Sequence, residues 1–381
     1  MIFEKQNAIF RDILNLKYPV NSSQEHLIKT MQWLCNAQDA TPDDGVARMY
    51  KLGEDWGASY PETTGYIIPT FLQYGAHYND SETIDRAYRM TKWLQKIQHN
   101  SGYIQGGTIA DKKSPAIFNT GQVLFGFCAA FNYFNDLTIK DNLVLAADYL
   151  VNNQDEDGHW RKNLSEFCSS KSDSYNYNIR TSWALYLAFK ITNEKKYEES
   201  AIHNMGAVYK DALTNGWFKN NCLTDESQPL LHTIAYTLQG LIELRVLISD
   251  DTNFQFVLSA CENLSDSFLR NNSLSGRYNA LWEPTTTWRC LTGEAQMAIV
   301  WYRLWKITND LKWKQCADKL INNLKATHQL VGGNTGVVGG IKGSHPIYGY
   351  YGKYEYLNWA AKFFADALML SMNIETASTS G

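Results

Sequence analysis

Five short stretches of the chain share one grammar: ETTGY, NTGQV, RTSWA, HTIAY and LTGEA. Each carries a threonine, at 64, 120, 181, 233 and 292, flanked by residues able to do chemistry. Glu62 and Tyr66 flank the first, Asn119 and Gln122 the second, Arg180 and Trp183 the third, and His232 and Tyr236 the fourth. Glu294 and Gln296 follow the fifth. One carboxyl group of such a set can donate a proton to a leaving oxygen while a second activates water or stabilises positive charge. Glu62, Glu294 and His232 are therefore the catalytic candidates. Tyr66, Asn119, Gln122, Arg180, Trp183 and Tyr236 are candidates for holding a polyhydroxylated substrate.

Each residue also has a plainer role. Threonine caps helix N-termini, an acid in a first helical turn complements the helix dipole, and a lone histidine on an apolar helix is often a satisfied core residue. Asp43 and Asp44 in TPDDGVARMY read as a solvated loop pair. The last candidate stretch is GGIKGSHPIYGYYGKYEYLNWAAKFFADALML, residues 339–370. Its glycines allow close backbone approach to a ligand. Lys342 and His345 suit a uronate or a phosphate, and Tyr354 and Trp359 offer aromatic faces. Tyr351 and Glu355 sit in the same run.

These residues need elements to position them. Apolar residues at helical spacing recur almost throughout. One set of segments is amphipathic: 24–38, 81–98, 139–152, 196–212, 252–270 and 311–327. A second set is more apolar: 63–78, 117–134, 179–192, 231–247, 291–307 and 356–373. The two sets alternate strictly. A helix with one polar face lies at a surface, and one apolar all round is buried on both sides. Six outer helices alternating with six inner ones predict an all-α (α/α)6 toroid, one domain over 1–381. Residues 1–20 are expected to be an N-terminal extension and 374–381 a disordered tail. The threonines recur every 52 to 61 residues, and Asn358 in YLNWAA marks the sixth start. In such a ring all inner helices start at one end, so the flanking residues line one funnel. Pro69 marks either a kink or a late start of the first inner helix.

With 35 basic and 39 acidic side chains well mixed, nothing draws the chain to nucleic acid or an anionic surface. No window approaches a membrane span, and charges interrupt the apolar pattern of the first twenty residues, so no signal peptide and no membrane insertion are expected. Seven scattered cysteines read as free thiols in a reducing compartment, and hence a cytoplasmic protein. Aromatic residues make up 13% of the chain, enough both to fill a core and to line a sugar-stacking groove. There is no GxGxxG after a strand, no P-loop and no Cys/His metal spacing, so neither a nucleotide cofactor nor a metal is expected.

The stretches WLCNAQDATPDDG, WLQKIQHNSGYIQGG and LVNNQDEDGHW end outer helices alike. They resemble repeat ends in the terpenoid cyclase and prenyltransferase toroids and in the six-hairpin glycosidases. The chain lacks the acidic DxDD cluster of the cyclases and the zinc ligands of the prenyltransferases. YPETTGYIIPTF and the 339–370 run resemble α/α-toroid proteins encoded among bacterial surface-polysaccharide genes, which implies an oligo- or polysaccharide substrate. The expectation is a carbohydrate-active hydrolase using Glu62 and Glu294, or a lyase with a Tyr or His base and Arg180 or Lys342 neutralising a uronate. A sugar epimerase relying on His232 and His345, or a non-catalytic glycan-binding protein, are the alternatives.

Overall fold

The computed structural model describes residues 2–374 except 166, 169–171 and 174. After helix α1 (Ile2–Ile13), the helices run α2 (Ser23–Asp39), α3 (Pro61–Tyr78), α4 (Ser81–Ile97), α5 (Ile117–Phe134), α6 (Leu137–Asn152) and α7 (Ile179–Thr192). They continue as α8 (Lys195–Lys210), α9 (Leu231–Ile248), α10 (Phe254–Asn271), α11 (Leu291–Thr308), α12 (Leu311–Lys325) and α13 (Asn358–Ser371). The odd helices α3 to α13 form the inner ring, each packed on the next, and α13 returns to α3. Each outer helix packs on the inner helix before it, except α2, which packs on α13 and so joins the two ends of the chain. The fold is the expected (α/α)6 toroid. Two small antiparallel ladders tie the loops: β1 (Met49–Lys51) pairs with β4 (Glu355–Leu357), and β2 (Arg289–Cys290) with β3 (Ser344–His345).

The periodicity explains which helix goes where. Every residue of α9 from 231 to 244 is buried, whereas α4 buries mainly the stripe Thr83, Ala87, Met90 and Leu94 with its neighbours. Inner helices turn sharply into outer ones. Asn79, Asn135, Asn193, Ser249 and Asn309 end them in the left-handed conformation. Asparagine tolerates that conformation better than most residues. Asp80, Asp136 and Asp310 then cap the next outer helix. The return from outer to inner is long. Gln38, Gln98 and Gln154 bridge these loops to the neighbouring outer helix: each side-chain amide donates to a loop carbonyl and to a carbonyl of α4, α6 or α8.

The repeated threonines are not N-caps. The caps of the inner helices are Tyr60, Ala116, Asn178, Leu230, Cys290 and Leu357, none with a side-chain capping bond. Thr64 and Thr120 lie within the first turn, donate back to the carbonyls of Tyr60 and Ala116, and accept from the incoming loop at Val46 N and Ile104 N. Thr233 donates to Asn221 O. They staple loop to helix. Helix α3 begins at Pro61 and runs unbroken through Pro69, so Pro69 marks no late start. Pro61 stands where its missing N–H costs nothing.

Residues 2–13 of the expected extension are helical, and Asp12 of α1 is buried beneath the last long loop. Ile374, the first residue of the expected tail, is buried and its carbonyl accepts from Gln73. Residues 375–381 lie outside the described residues.

Glycines set the ring's tightness. A Cβ on Gly65 of α3 would lie 2.5 Å from Val123 Cα of α5, and one on Gly293 of α11 would lie 2.8 Å from His232 N of α9. Gly206 on outer helix α8 is exposed and a Cβ there would meet nothing within 4 Å. Gly65→Ala should therefore destabilise by about 1–3 kcal/mol through overpacking, although alanine is the better helix former. Gly206→Ala should stabilise by about 1 kcal/mol. Urea denaturation of the two variants should show these opposite signs.

Candidate active site

The side chain at the second position of each inner helix heads the ring: Glu62, Phe118, Arg180, His232, Thr292 and Trp359. Four of them, Glu62, Phe118, His232 and Trp359, line a cavity of about 300 Å³ at the N-terminal ends of the inner helices. Tyr66 and Tyr236, one turn further down α3 and α9, form its floor. The incoming loops build the walls from Arg48, Tyr60, Tyr177, Arg277, Tyr351 and Glu355. Trp359 donates its indole N–H to Tyr351 Oη at 2.8 Å, fixing one aromatic wall.

Glu62 is the acid of this chamber. Tyr60 Oη donates to Glu62 Oε2 at 2.6 Å. Burial raises the carboxyl to about 7, while the Tyr60 bond and the nearby Arg180 and Arg48 pull it down by less. Desolvation outweighs these, so Glu62 holds a transferable proton near neutral pH. His232 is its opposite. Its Nδ1 lies 2.7 Å from Gln296 Oε1. A carbonyl oxygen accepts only from N–H, so the proton is on Nδ1 and Nε2 keeps its lone pair. Burial holds the ring neutral, lowered to about 4. Glu355 is the other carboxylate in the lining, pushed up by burial and held down by Arg48 and Lys51. The phenols of Tyr60, Tyr66, Tyr177 and Tyr351 are pushed far up by burial and stay protonated.

Two arginines of the wall lack a carboxylate partner among the described residues. The Arg48 guanidinium lies 5.1 Å from the Phe167 ring and 5.9 Å from that of Trp359, and its Nε has no partner. Arg277 donates to Gln228 O and Thr224 Oγ1.

Of the residues expected from sequence, Glu62, Tyr66, His232, Tyr236 and Trp359 meet in this cavity. Glu294 does not. Its side chain is fully buried and accepts from Arg289 Nε and Nη2 and from Leu274 N, so its lone pairs are committed to a structural pair. Asn119 holds Gln105 O, and Gln122 accepts from Arg180 Nε at 3.1 Å; both act behind the lining. Arg180 and Trp183 point below it, into a smaller chamber on the ring axis. Lys342 and His345 are diverted by α1: Lys342 Nζ donates to both Asp12 oxygens at 2.7 and 2.8 Å and to His345 Nδ1. They line a separate pocket beside α1. Tyr354 sits outside the lining, with Lys5 Nζ 4.0 Å from its ring. The residues that sequence reading missed, Arg48, Tyr60, Phe118, Tyr177 and Arg277, come from non-repeating loops or from second helix positions. A comparison aligned on helix starts instead of threonines would have found Phe118. Among the described residues, no three His, Cys, Asp or Glu side chains gather as a metal site, and all seven cysteines are free thiols.

No protein-family model matches the chain, and no curated protein matches it in sequence. Solved structures do resemble it. An unsaturated glucuronyl hydrolase specific for heparin superposes with a TM-score of 0.74 at 15% identity, covering 94% of this chain and 99% of its own. Cellobiose 2-epimerase from Bacillus thermoamylovorans gives 0.70 at 11% identity, covering 97% and 99%. D-mannose isomerase gives 0.72 at 14% identity, covering 93% and 99%. At these identities the likeness establishes the (α/α)6 toroid. Among the described residues, no helix is long and apolar enough to cross a membrane.

The raised carboxyl of Glu62 has a sign in stability. The folded state holds this proton more tightly than an ordinary glutamate at 4.5, so its contribution is present at pH 4 and lost as pH rises through about 7. Glu62→Gln removes that loss. The variant should gain on wild type by about 3 kcal/mol between pH 5 and 8 in urea denaturation. An unchanged difference across that range would mean that Glu62 ionises like an exposed acid.

Proposed function

We propose that the chain is a carbohydrate-active enzyme that hydrolyses a glycosidic bond in the central cavity, with Glu62 as general acid. The observation that carries this reading is a buried carboxyl, held by Tyr60 and raised by burial, facing an aromatic-walled chamber. Glu62 donates its proton to the glycosidic oxygen as the C–O bond breaks. Glu355, the other carboxylate of the lining, takes the proton of the attacking water. His232, neutral and with its Nε2 lone pair free, accepts from a sugar hydroxyl and orients the ring. Tyr66, Tyr236 and Trp359 offer faces for the C–H side of a sugar. Arg48 and Arg277, without a carboxylate partner among the described residues, favour an acidic sugar. The structural relatives, named for a sugar hydrolase, an epimerase and an isomerase, support a carbohydrate substrate. The resemblance of residues 60–71 and 339–370 supports a role in bacterial surface-polysaccharide metabolism, and the seven free thiols suit the cytoplasm.

A lyase using a phenolate base fits poorly, since burial keeps the tyrosines protonated. Epimerisation is the second reading, and the free Nε2 of His232 favours it: that nitrogen could take a proton from carbon and Glu62 return one.

Incubating the protein with neutral and uronate-containing oligosaccharides and weighing the products decides between them. Hydrolysis predicts products that together gain one water, lost by about 100-fold or more in Glu62→Gln with binding retained. Deuterium uptake from heavy water into an uncleaved sugar, lost in His232→Gln, would establish epimerisation instead. Turnover that survives Glu62→Gln would overturn the assignment of Glu62.

A further inference from the structure

Behind Tyr66 and below the main cavity, the ring axis holds a second chamber of about 50 Å³. Three cations face it, Arg180, Arg303 and Lys362, against two anions, Glu243 and Asp366. All five residues are buried. Four of them are paired: Arg303 Nη2 with Glu243 Oε2 at 2.7 Å, and Lys362 Nζ with Asp366 Oδ2 at 2.5 Å. Asp366 also accepts from Thr70. Arg180 is left over. Its bonds go to the amide oxygens of Gln122 and Gln239, and its guanidinium sits among the rings of Phe125, Trp183, Tyr236 and Phe363 at 4.8 to 5.6 Å. Amide dipoles and ring faces solvate a cation without cancelling its charge.

Among the described residues, the fully buried polar atoms of this lining that have no partner are donors. Trp183, one turn along α7 from Arg180, is buried with its indole N–H unpartnered, and so is Arg303 Nε. A space of this size holds a few water-sized bodies. Its remaining wall is apolar at Pro69, Ile299 and Leu370, beside the amide of Gln73, which donates to Ile374 O. Water would accept from these donors but would leave the positive charge standing. A phosphate or sulfate would demand many more donors than the chamber offers. A spherical, weakly hydrated anion fits both the charge and the wall.

We propose that the axial chamber is a halide site, holding one chloride against Arg180 and the indole N–H of Trp183. The ion balances Arg180, the cation of this chamber that has no carboxylate partner among the described residues. The site lies apart from the cavity in which sugar chemistry is proposed, and its test needs no substrate.

Thermal unfolding of the full chain should be followed at equal ionic strength in sodium chloride, sodium bromide and sodium gluconate. The halides should raise the midpoint by a few degrees over gluconate, through preferential binding to the folded state. Trp183→Phe should lose that difference while still unfolding cooperatively. Crystals of the wild-type protein grown in bromide should show an anomalous peak between Arg180 and Trp183, a result that stands even if the variant folds poorly. Equal midpoints in chloride and gluconate, a halide difference kept by Trp183→Phe, or a chamber with no anomalous peak would each overturn the proposal.

Discussion

The close approach of the inner helices is the constraint on which the rest depends. At Gly65 against Val123 and at Gly293 against His232 N, two helix backbones come so near that no side chain fits between them. Gly240 lies close to the α7 backbone at Ile179, and Gly121 makes room for the Thr181 side chain of α7. A ring built with larger residues at these points would be wider, and its core would need filling from elsewhere. Because the ring is narrow, six second-position side chains converge on one axis. Four meet around the cavity, and Arg180 drops just beneath it.

Convergence changes chemistry because it removes water. Six helix N-termini point their partial positive charge at the same space, and that alone would keep a carboxylate ionised. Yet the Glu62 carboxyl is raised to about 7, since its desolvation outweighs Tyr60 and two arginines together. The same desolvation keeps His232 neutral and the tyrosines protonated. One geometric fact, tight packing of helix starts, thus accounts for a proton donor and a lone-pair acceptor facing one chamber. It also explains why Arg180, buried among rings, has only amides to hold it among the described residues.

The helices were legible because helical periodicity is a local property. The inner helix expected at 179–192 is α7, and that expected at 117–134 is α5. Alternation of apolar and amphipathic segments conveyed the ring. The site was legible only in part. Glu62, Tyr66, His232, Tyr236 and Trp359 sit at or near helix starts, so the repeat pointed to them. Glu294 looked equivalent from its spacing, but Arg289, five residues earlier on β2, folds back and claims it. Lys342 and His345 looked like mouth residues until α1, more than 300 residues away in sequence, delivered Asp12 to them. Arg48 and Arg277 arrive on loops without periodicity, where nothing local announces a direction. The threonines misled for a related reason: Thr64, Thr120 and Thr233 bond the incoming loop, Thr181 and Thr292 do not, and the five fall at the second, third or fourth position of their helices.

The central claim is that ring closure makes Glu62 an acid at neutral pH. The most direct measurement is a carbon NMR titration of the side-chain carboxyls in protein labelled at glutamate, with Glu62→Gln used for assignment. One resonance should titrate with a midpoint near 7 and disappear in the variant. If the Glu62 resonance instead titrates in the ordinary range, at about 4–5, desolvation does not govern the site and the account fails.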